Sequence, residues 1–238
     1  MDAKIIAYLK KERNEKMIDK SAAVSEFYPD AKFGYLVVNG LQEDSDRAIM
    51  DTIVSGEIEQ LRAVYPEYER KKMLETKPLC HYGAYYKKFK KTYHVLGQLE
   101  SILLKDKSIP SVGPAVEAMF LAEVKHLLLT AGHDLDTFEG SLVIDVANEP
   151  FTYQGISKKE QSLMLEDMHL SDQTGVVSSI IKGPDFRTRI TKNTQNGLYF
   201  IYGVPGVTEE QIGEELQTIA AYLSQVIPKV TVQDMKVF

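Results

Sequence analysis

The sequence has few of the features that mark several protein classes. Its 238 residues include one cysteine, Cys80, so no internal disulfide can form and a reducing, cytoplasmic location is expected. No apolar run approaches the roughly 18 residues of a bilayer-spanning helix, so no membrane partner is predicted. The first ten residues, Met1–Lys10, contain only five uninterrupted apolar or aromatic residues, which is too short for a signal-peptide core. The 44% of apolar residues suffices for the core of a soluble protein.

Common chemistry motifs are absent as well. The chain has no glycine-rich dinucleotide fingerprint, no phosphate-binding loop of the Walker type and no serine nucleophile elbow. No cofactor is therefore predicted. Cys80 has no partner that the sequence identifies, which favours a half-buried structural thiol over a nucleophile.

Negative charge exceeds positive charge in the whole chain, but positive charge is concentrated in one segment. The net charge is -6, which argues mildly against general nucleic-acid binding. Between Arg70 and His94, however, eight bases face one acid, a local charge of +7, which leaves -13 for the rest. Within this segment, Tyr82–Tyr93 is interpreted as a helix with Tyr85, Phe89 and Tyr93 inward and its lysines solvated, available to a polyanion.

The order of patterns predicts an α+β domain in which helices pack on a mixed sheet. Strands are predicted at Phe33–Val38, Leu142–Ala147, Gly175–Ile181 and Leu198–Val204. Helices are predicted over Glu43–Leu61, with a stripe of Ile49, Ile53, Ile58 and Leu61; over Gln98–Leu104; and from Pro114 to about Leu129, ending at a Gly132 cap. A last helix follows a capping box at Thr208 and Gln211, with Ile212, Leu216, Ile219, Leu223 and Val226 at helical spacing.

Two clusters could bind a metal, although each has a structural explanation. Glu123 and His126 share one face of the predicted helix, but carboxylate-bridged metal bundles need two such motifs. His133 and Asp134 follow the helix, where Asp134 could instead cap a turn. The structural interpretation is favoured for both, so no metal is predicted. A metal-dependent hydrolase using all four residues remains a third hypothesis.

The densest polar cluster is Gly183–Thr191, which holds Asp185, Arg187 and Thr188 on a predicted turn. Arginine can bind a carboxylate or phosphate through two parallel hydrogen bonds, and loops on a rigid scaffold often carry sites. An Asp–Arg pair that stiffens the turn explains the same residues. The two interpretations are about equally supported.

Four segments together resemble a known module. They are Tyr85–Phe89 followed by Leu99–Leu104; Ile109–Glu117 leading to Asp134-Leu135-Asp136; an acidic turn at Asp167–Gly175; and Arg187–Asn196 before the last central strand. The pattern over Tyr82–Val204 resembles the B3/B4 tRNA-binding and editing module of the phenylalanyl-tRNA synthetase beta subunit, and in particular its free-standing bacterial versions.

The resemblance implies one B3/B4-like domain over residues 1–238. Residues 1–80 would form an N-terminal α/β extension rich in helix, 81–205 the best-matching core, and 206–238 a C-terminal helix and tail. The implied partner is tRNA or aminoacyl-tRNA, with hydrolysis of mischarged tRNA in trans as the implied activity. Two polar groups of the module are missing, since its histidine falls at Ala131 and its tyrosine-reading carboxylate at Phe200. A non-catalytic module for a small amino acid-like ligand is therefore the alternative.

These arguments assign roles to three groups of residues. The catalytic candidates are His133, which would position water, and Asp134. The ligand-binding candidates are Ser178, Ser179, Asp185, Arg187 and Thr188, beside a concave surface expected at the Gly183–Thr191 turn. The tRNA-binding candidates are Lys87, Lys88, Lys90 and Lys91.

Overall fold

The computed structural model describes residues 17–42 and 45–238, so Met1–Lys10 and the predicted helix start at Glu43 lie outside the described residues. The helices are α1 (Ala22–Phe27), α2 (Arg47–Val64), α3 (Arg70–Glu75), α4 (Leu79–Lys88), α5 (His94–Lys105), α6 (Pro114–His126) and α7 (Glu209–Val226). The strands are β1 (Ile18–Lys20), β2 (Lys32–Asn39), β3 (Thr130–Asp134), β4 (Leu142–Val146), β5 (Thr152–Gln154), β6 (Glu160–Ser162), β7 (Met168–Asp172), β8 (Gly175–Ser179), β9 (Gly183–Pro184), β10 (Asn196–Gly203) and β11 (Thr231–Val237).

The strands form two main sheets and a small hairpin. One sheet has the order β11-β2-β10-β3 and is antiparallel throughout. The other has the order β1-β4-β7-β8-β9 and is mixed, because β1 runs parallel to β4 while the remaining pairs are antiparallel. Strands β5 and β6 pair with each other as the hairpin. The fold class is therefore α+β with a mixed sheet and packed helices, as predicted.

Alternation along β10 shows how the layers stack. The Tyr199 hydroxyl donates to the carbonyl of Ala115 at the start of α6, whereas the Tyr202 hydroxyl donates to the carbonyl of Ser178 in the five-stranded sheet. Successive strand residues point to opposite faces. The four-stranded sheet therefore lies between a helical layer and the five-stranded sheet, and all eight residues of β10 are buried.

Helix α7 forms where the sequence predicts it. The Thr208 hydroxyl accepts from the Gln211 N–H, and the Gln211 side chain accepts from the Thr208 N–H, which completes the capping box. All five predicted apolar residues of this helix are buried. No helix within residues 17–42 and 45–238 has the length and apolar character needed to cross a bilayer.

Three local predictions are wrong. In α2 the buried stripe is Met50, Val54, Ile58 and Leu61. The predicted Ile49 and Ile53 therefore do not belong to it, because each lies one residue before a buried position. Helix α6 ends at His126 with Leu127 in the left-handed region (φ 60°). Gly132 is no cap but a residue of β3, where an added Cβ would lie 3.0 Å from the Met119 sulfur. The predicted acidic turn at Asp167–Gly175 is mostly strand β7.

Candidate functional site

The structure brings His133 together with Ser178 and Thr188. The His133 ring bridges the two sheets, with Nδ1 2.8 Å from the Thr188 hydroxyl and Nε2 3.1 Å from the Ser178 hydroxyl. The Ser178 hydroxyl also lies 2.7 Å from the hydroxyl of Tyr202. All of these side chains are fully buried. Burial, reinforced by the nearby Arg187 charge, lowers the pKa of His133 to about 3, so the ring stays neutral.

Asp185 and Arg187 extend this network toward the surface. Asp185 accepts from the backbone N–H of Thr188 at 3.0 Å and from its hydroxyl. The Arg187 guanidinium lies 3.7 Å from Asp185 and donates to both carboxylate oxygens of Asp172 at 2.9 Å. A third hydrogen bond runs from Arg187 to the carbonyl of Thr137 at 2.7 Å. These contacts stiffen the Gly183–Thr191 turn and occupy the groups that were predicted to hold a ligand.

Asp134 and Ser179 point away from His133. Asp134 follows His133 in β3, so its carboxylate lies on the opposite face, where it accepts from the Thr194 hydroxyl at 2.7 Å. It also accepts from the Asp136 N–H and so caps the short helical turn after β3, as its structural interpretation predicts. Ser179 alternates with Ser178 in the same way and accepts from the Lys182 N–H at 3.0 Å. The arrangement does not unite the predicted site residues at one accessible point.

The proposed metal ligands also separate. His126 lies 2.8 Å from the Thr218 hydroxyl on α7, while the Glu123 carboxyl turns inward and accepts from the Thr130 N–H. Burial lowers the pKa of His126 to about 4 and raises that of Glu123 to about 8. Among the described residues, no group of three or more histidine, cysteine or acidic side chains is placed to hold a metal ion.

The two positions at which the resembled module carries polar groups are partners in the sheet. Ala131 on β3 is the register partner of Phe200 on β10, and both residues are buried. The Phe200 ring stacks on Phe33 at 5.9 Å and meets Tyr202 edge-on at 4.7 Å. Apolar packing therefore fills this point between the sheets.

The basic segment around the end of α4 has a rigid inner side. Tyr82, Tyr85, Tyr86, Phe89 and Tyr93 are buried, which confirms the inward positions predicted for Tyr85, Phe89 and Tyr93. Helix α4 ends at Lys88, earlier than predicted. Four tyrosine hydroxyls fix the segment by donating to distant acceptors on Tyr202, Asp167, Ile180 and Leu127.

The outer side of that segment carries the four predicted tRNA-binding lysines. Lys87, Lys88, Lys90 and Lys91 are exposed, and none forms an ion pair within the part of the chain that the structure describes. Lys88 lies 4.7 Å above the ring of Tyr28, a cation–π contact. The structure thus presents several positive charges on a stiff support.

An open cleft that the sequence analysis missed lies on the outer face of the five-stranded sheet. It has a volume of about 230 Å³. Its base includes Asp145 on β4 and His169 on β7, which are direct cross-strand partners. The loop after β4 supplies Glu149 and Phe151, and none of the lining residues belongs to the Gly183–Thr191 turn. The sequence could have indicated these residues through the alternating pattern of Leu142–Val146 and Met168–Asp172, because this pattern places Asp145 and His169 on the outward face.

Comparisons with known proteins yield a structural likeness only. No protein-family model matches the sequence, and no curated protein matches it either. Among the solved structures that match is an N-terminal fragment of the phenylalanyl-tRNA synthetase beta subunit from Pyrococcus horikoshii, at 13% identity and a TM-score of 0.48. The match covers 92% of this chain and 49% of that one, so the chain spans about half the length of the fragment.

Proposed function

We propose that this protein binds tRNA, or an RNA of similar charge, through the lysines in the last turn of α4 and directly after it. The observation that carries the proposal is the exposed group Lys87, Lys88, Lys90 and Lys91 on a support of buried aromatic residues. Lysines that contact phosphates release bound counterions, which makes binding favourable and dependent on salt. tRNA is chosen among polyanions because the sequence resemblance implies it.

The geometry also limits what this surface can recognise. The aromatic residues that lie between and beside the lysines are buried, so they are not available to stack on bases as single-strand-binding proteins use them. Contacts to phosphates fix position and orientation but carry no base sequence. The proposal therefore includes binding that responds to the shape and charge of the RNA rather than to its sequence.

The experiment is a titration of tRNA at several salt concentrations. The logarithm of the binding constant should fall linearly with the logarithm of salt, with roughly 0.7–0.9 of slope for each phosphate contact. Replacing both Lys87 and Lys91 by Ala should weaken binding and reduce this slope by about 1–2. The matched control is the pair Lys105→Ala and Lys107→Ala, exposed lysines at the end of α5 and just after it, which should change neither quantity. Equal effects from the two pairs, or binding that is independent of salt, would exclude this interface.

Hydrolysis of mischarged tRNA in trans remains a further prediction. It would require an ester and a water molecule to reach His133 or another general base, and the His133 ring is fully buried. A deacylation assay on mischarged tRNAs tests it directly, with His133→Ala as the variant. Release that is no faster than the background would leave RNA binding without hydrolysis.

A further inference from the structure

The cleft on the outer face of the five-stranded sheet has two kinds of wall. One wall is apolar and includes Leu163 and Val176, which pack with Ala147 and Tyr153 in a small cluster separate from the main core. The other kind of lining is acidic and consists of Asp145 at the base together with Glu149 and Asp172. Among the residues that the structure describes, neither lysine nor arginine lines the cleft. Its polar and apolar groups thus converge on one concavity, as in sites for small molecules.

The three carboxylates differ in how far they are already paired. Asp172 is satisfied, since it accepts from Arg187 and from the backbone N–H groups of Glu139, Thr174 and Gly175. Asp145 accepts from the Ser21 hydroxyl at 2.5 Å and from the Val146 N–H at 2.8 Å, both through one oxygen. The other oxygen of Asp145 accepts no hydrogen bond from a described residue. Glu149 is exposed and forms no ion pair with a described residue. Two negative charges at the cleft are therefore available to a cation.

His169 does not neutralise these charges. Burial lowers the pKa of the His169 ring despite the nearby Asp145 carboxylate. The ring is therefore uncharged at neutral pH, and its Nδ1 has no partner among the described residues. A neutral imidazole beside Asp145 leaves the net charge of the lining negative. The charge of this face thus favours a positively charged ligand.

Phe151 gives the cleft an aromatic surface. Its side chain is 44% exposed, and its ring lies across Gly175, where an added Cβ would come within 3.3 Å of the ring. Gly175 also has φ +138°, so its backbone favours glycine and keeps the space for the ring. An organic cation gains both from the ring face of Phe151 and from the adjacent apolar wall.

We propose that this cleft binds a small organic ammonium compound, with the ammonium group between Asp145 and Glu149 and the apolar body against Phe151, Leu163 and Val176. The same geometry disfavours a free amino acid, because its carboxylate would find no lysine or arginine among the described lining residues. An inorganic cation would gain nothing from the apolar wall. The site shares no residue with the lysine surface, so it is independent of the proposed RNA binding.

The test compares three probes that share a phenylethyl group, by isothermal titration and by NMR shift mapping on the full chain. These are 2-phenylethylammonium, the neutral 2-phenylethanol, and phenylalanine, which adds a carboxylate. We expect saturable binding of the ammonium compound at least about tenfold tighter than of the other two. The shifted amides should include those of Val176 and Gly175. Equal binding of the three probes, no binding of the ammonium probe, or shifts confined to another face would overturn the proposal.

Variants identify the groups that hold the probe. Glu149→Gln and Asp145→Asn should each weaken binding of 2-phenylethylammonium by about five- to tenfold, and Phe151→Ala by about threefold. Asp145 also accepts bonds within the fold, so the exposed positions Glu149 and Phe151 keep the test valid if Asp145→Asn does not fold. The matched control is Glu160→Gln, an exposed acid on β6 outside the lining, which should leave binding unchanged. An unchanged affinity in Glu149→Gln together with Phe151→Ala would refute the site.

Discussion

Glu123 and Glu215 come from different helices, yet both accept hydrogen bonds from the same residue of β3, Thr130. Glu123 accepts from the Thr130 backbone N–H at 3.1 Å, and Glu215 accepts from the Thr130 hydroxyl. Both carboxyl groups are fully buried, and one oxygen of each has no partner among the described residues. Burial raises the pKa of Glu123 to about 8, and that of Glu215 rises well above its ordinary range from the same cause. The helical layer therefore contains two carboxyl groups that favour the protonated form.

From these two buried carboxyl groups we predict that the protein loses stability in mildly alkaline solution. An unfolded chain releases these protons near pH 4.5, whereas the folded chain keeps the Glu123 proton until about pH 8, so the free energy of unfolding falls as pH rises between those values. Between pH 7 and 9 it should fall by about 1–3 kcal/mol. In that window Asp167, whose folded-state pKa is raised to about 6, and the histidines, whose folded-state pKa values are lowered, are already deprotonated in the folded chain. Urea unfolding at each pH measures the change. The Glu123→Gln variant should show a smaller fall, while the exposed Glu139→Gln should behave like the parent; a flat profile in the parent contradicts the argument.

The second prediction concerns the buried His133 bridge. Replacing His133 by Leu leaves the Ser178 and Thr188 hydroxyls without the ring nitrogens, so the free energy of unfolding should fall by about 2–4 kcal/mol. His126→Leu is the comparison variant, because it removes one hydrogen bond at a less buried ring and should cost about 1 kcal/mol. Chemical denaturation gives both values. A His133 variant as stable as the parent would show that the bridge contributes nothing to the fold.

How much of the fold the sequence could predict depends on how local the cause is. The capping box of α7 lies within four residues and its apolar stripe recurs every three or four, so both could be predicted. The inward orientation of the Tyr85, Phe89 and Tyr93 side chains follows from the same periodicity. The end of α6 was misplaced because Leu127 takes a left-handed conformation that its side chain does not indicate.

The candidate sites depend on distant pairings, which the sequence shows less directly. Asp145 and His169 are partners only because β4 pairs with β7 in one register, and a shift of one strand by one residue would turn its side chain to the other face of the sheet. His133 meets Ser178 across two different sheets. The sequence could name these residues as polar exceptions within apolar strands, but not which of them would be enclosed and which would reach a cleft.

The third prediction separates two roles for Arg187. In the structure its guanidinium bridges Asp172 and Asp185, so the geometry of its planar fork matters. Arg187→Lys should lower the free energy of unfolding by about 1–3 kcal/mol, because one ammonium cannot replace these contacts to the buried Asp172. Thermal or urea unfolding measures this loss. If Arg187 instead held an external anion, the same substitution would weaken RNA or phosphate binding and leave stability unchanged.

The fourth prediction uses the backbone at the end of α4 to separate charge from folding. Lys90 has φ 56°, and the Lys91 N–H donates to the Tyr86 carbonyl while the Lys90 N–H donates to that of Lys87. This is the Schellman arrangement, in which the left-handed position favours glycine. Lys90→Gly should therefore raise the free energy of unfolding by about 0.5–1 kcal/mol, since the left-handed conformation is less favourable for lysine than for glycine.

The same variant should bind tRNA more weakly because one phosphate contact is lost, with a salt slope lower by about 1. Urea unfolding and the salt-dependent titration give the two quantities on one sample. Weaker binding in a more stable protein attributes the effect to the charge itself, whereas unchanged binding would remove Lys90 from the proposed surface.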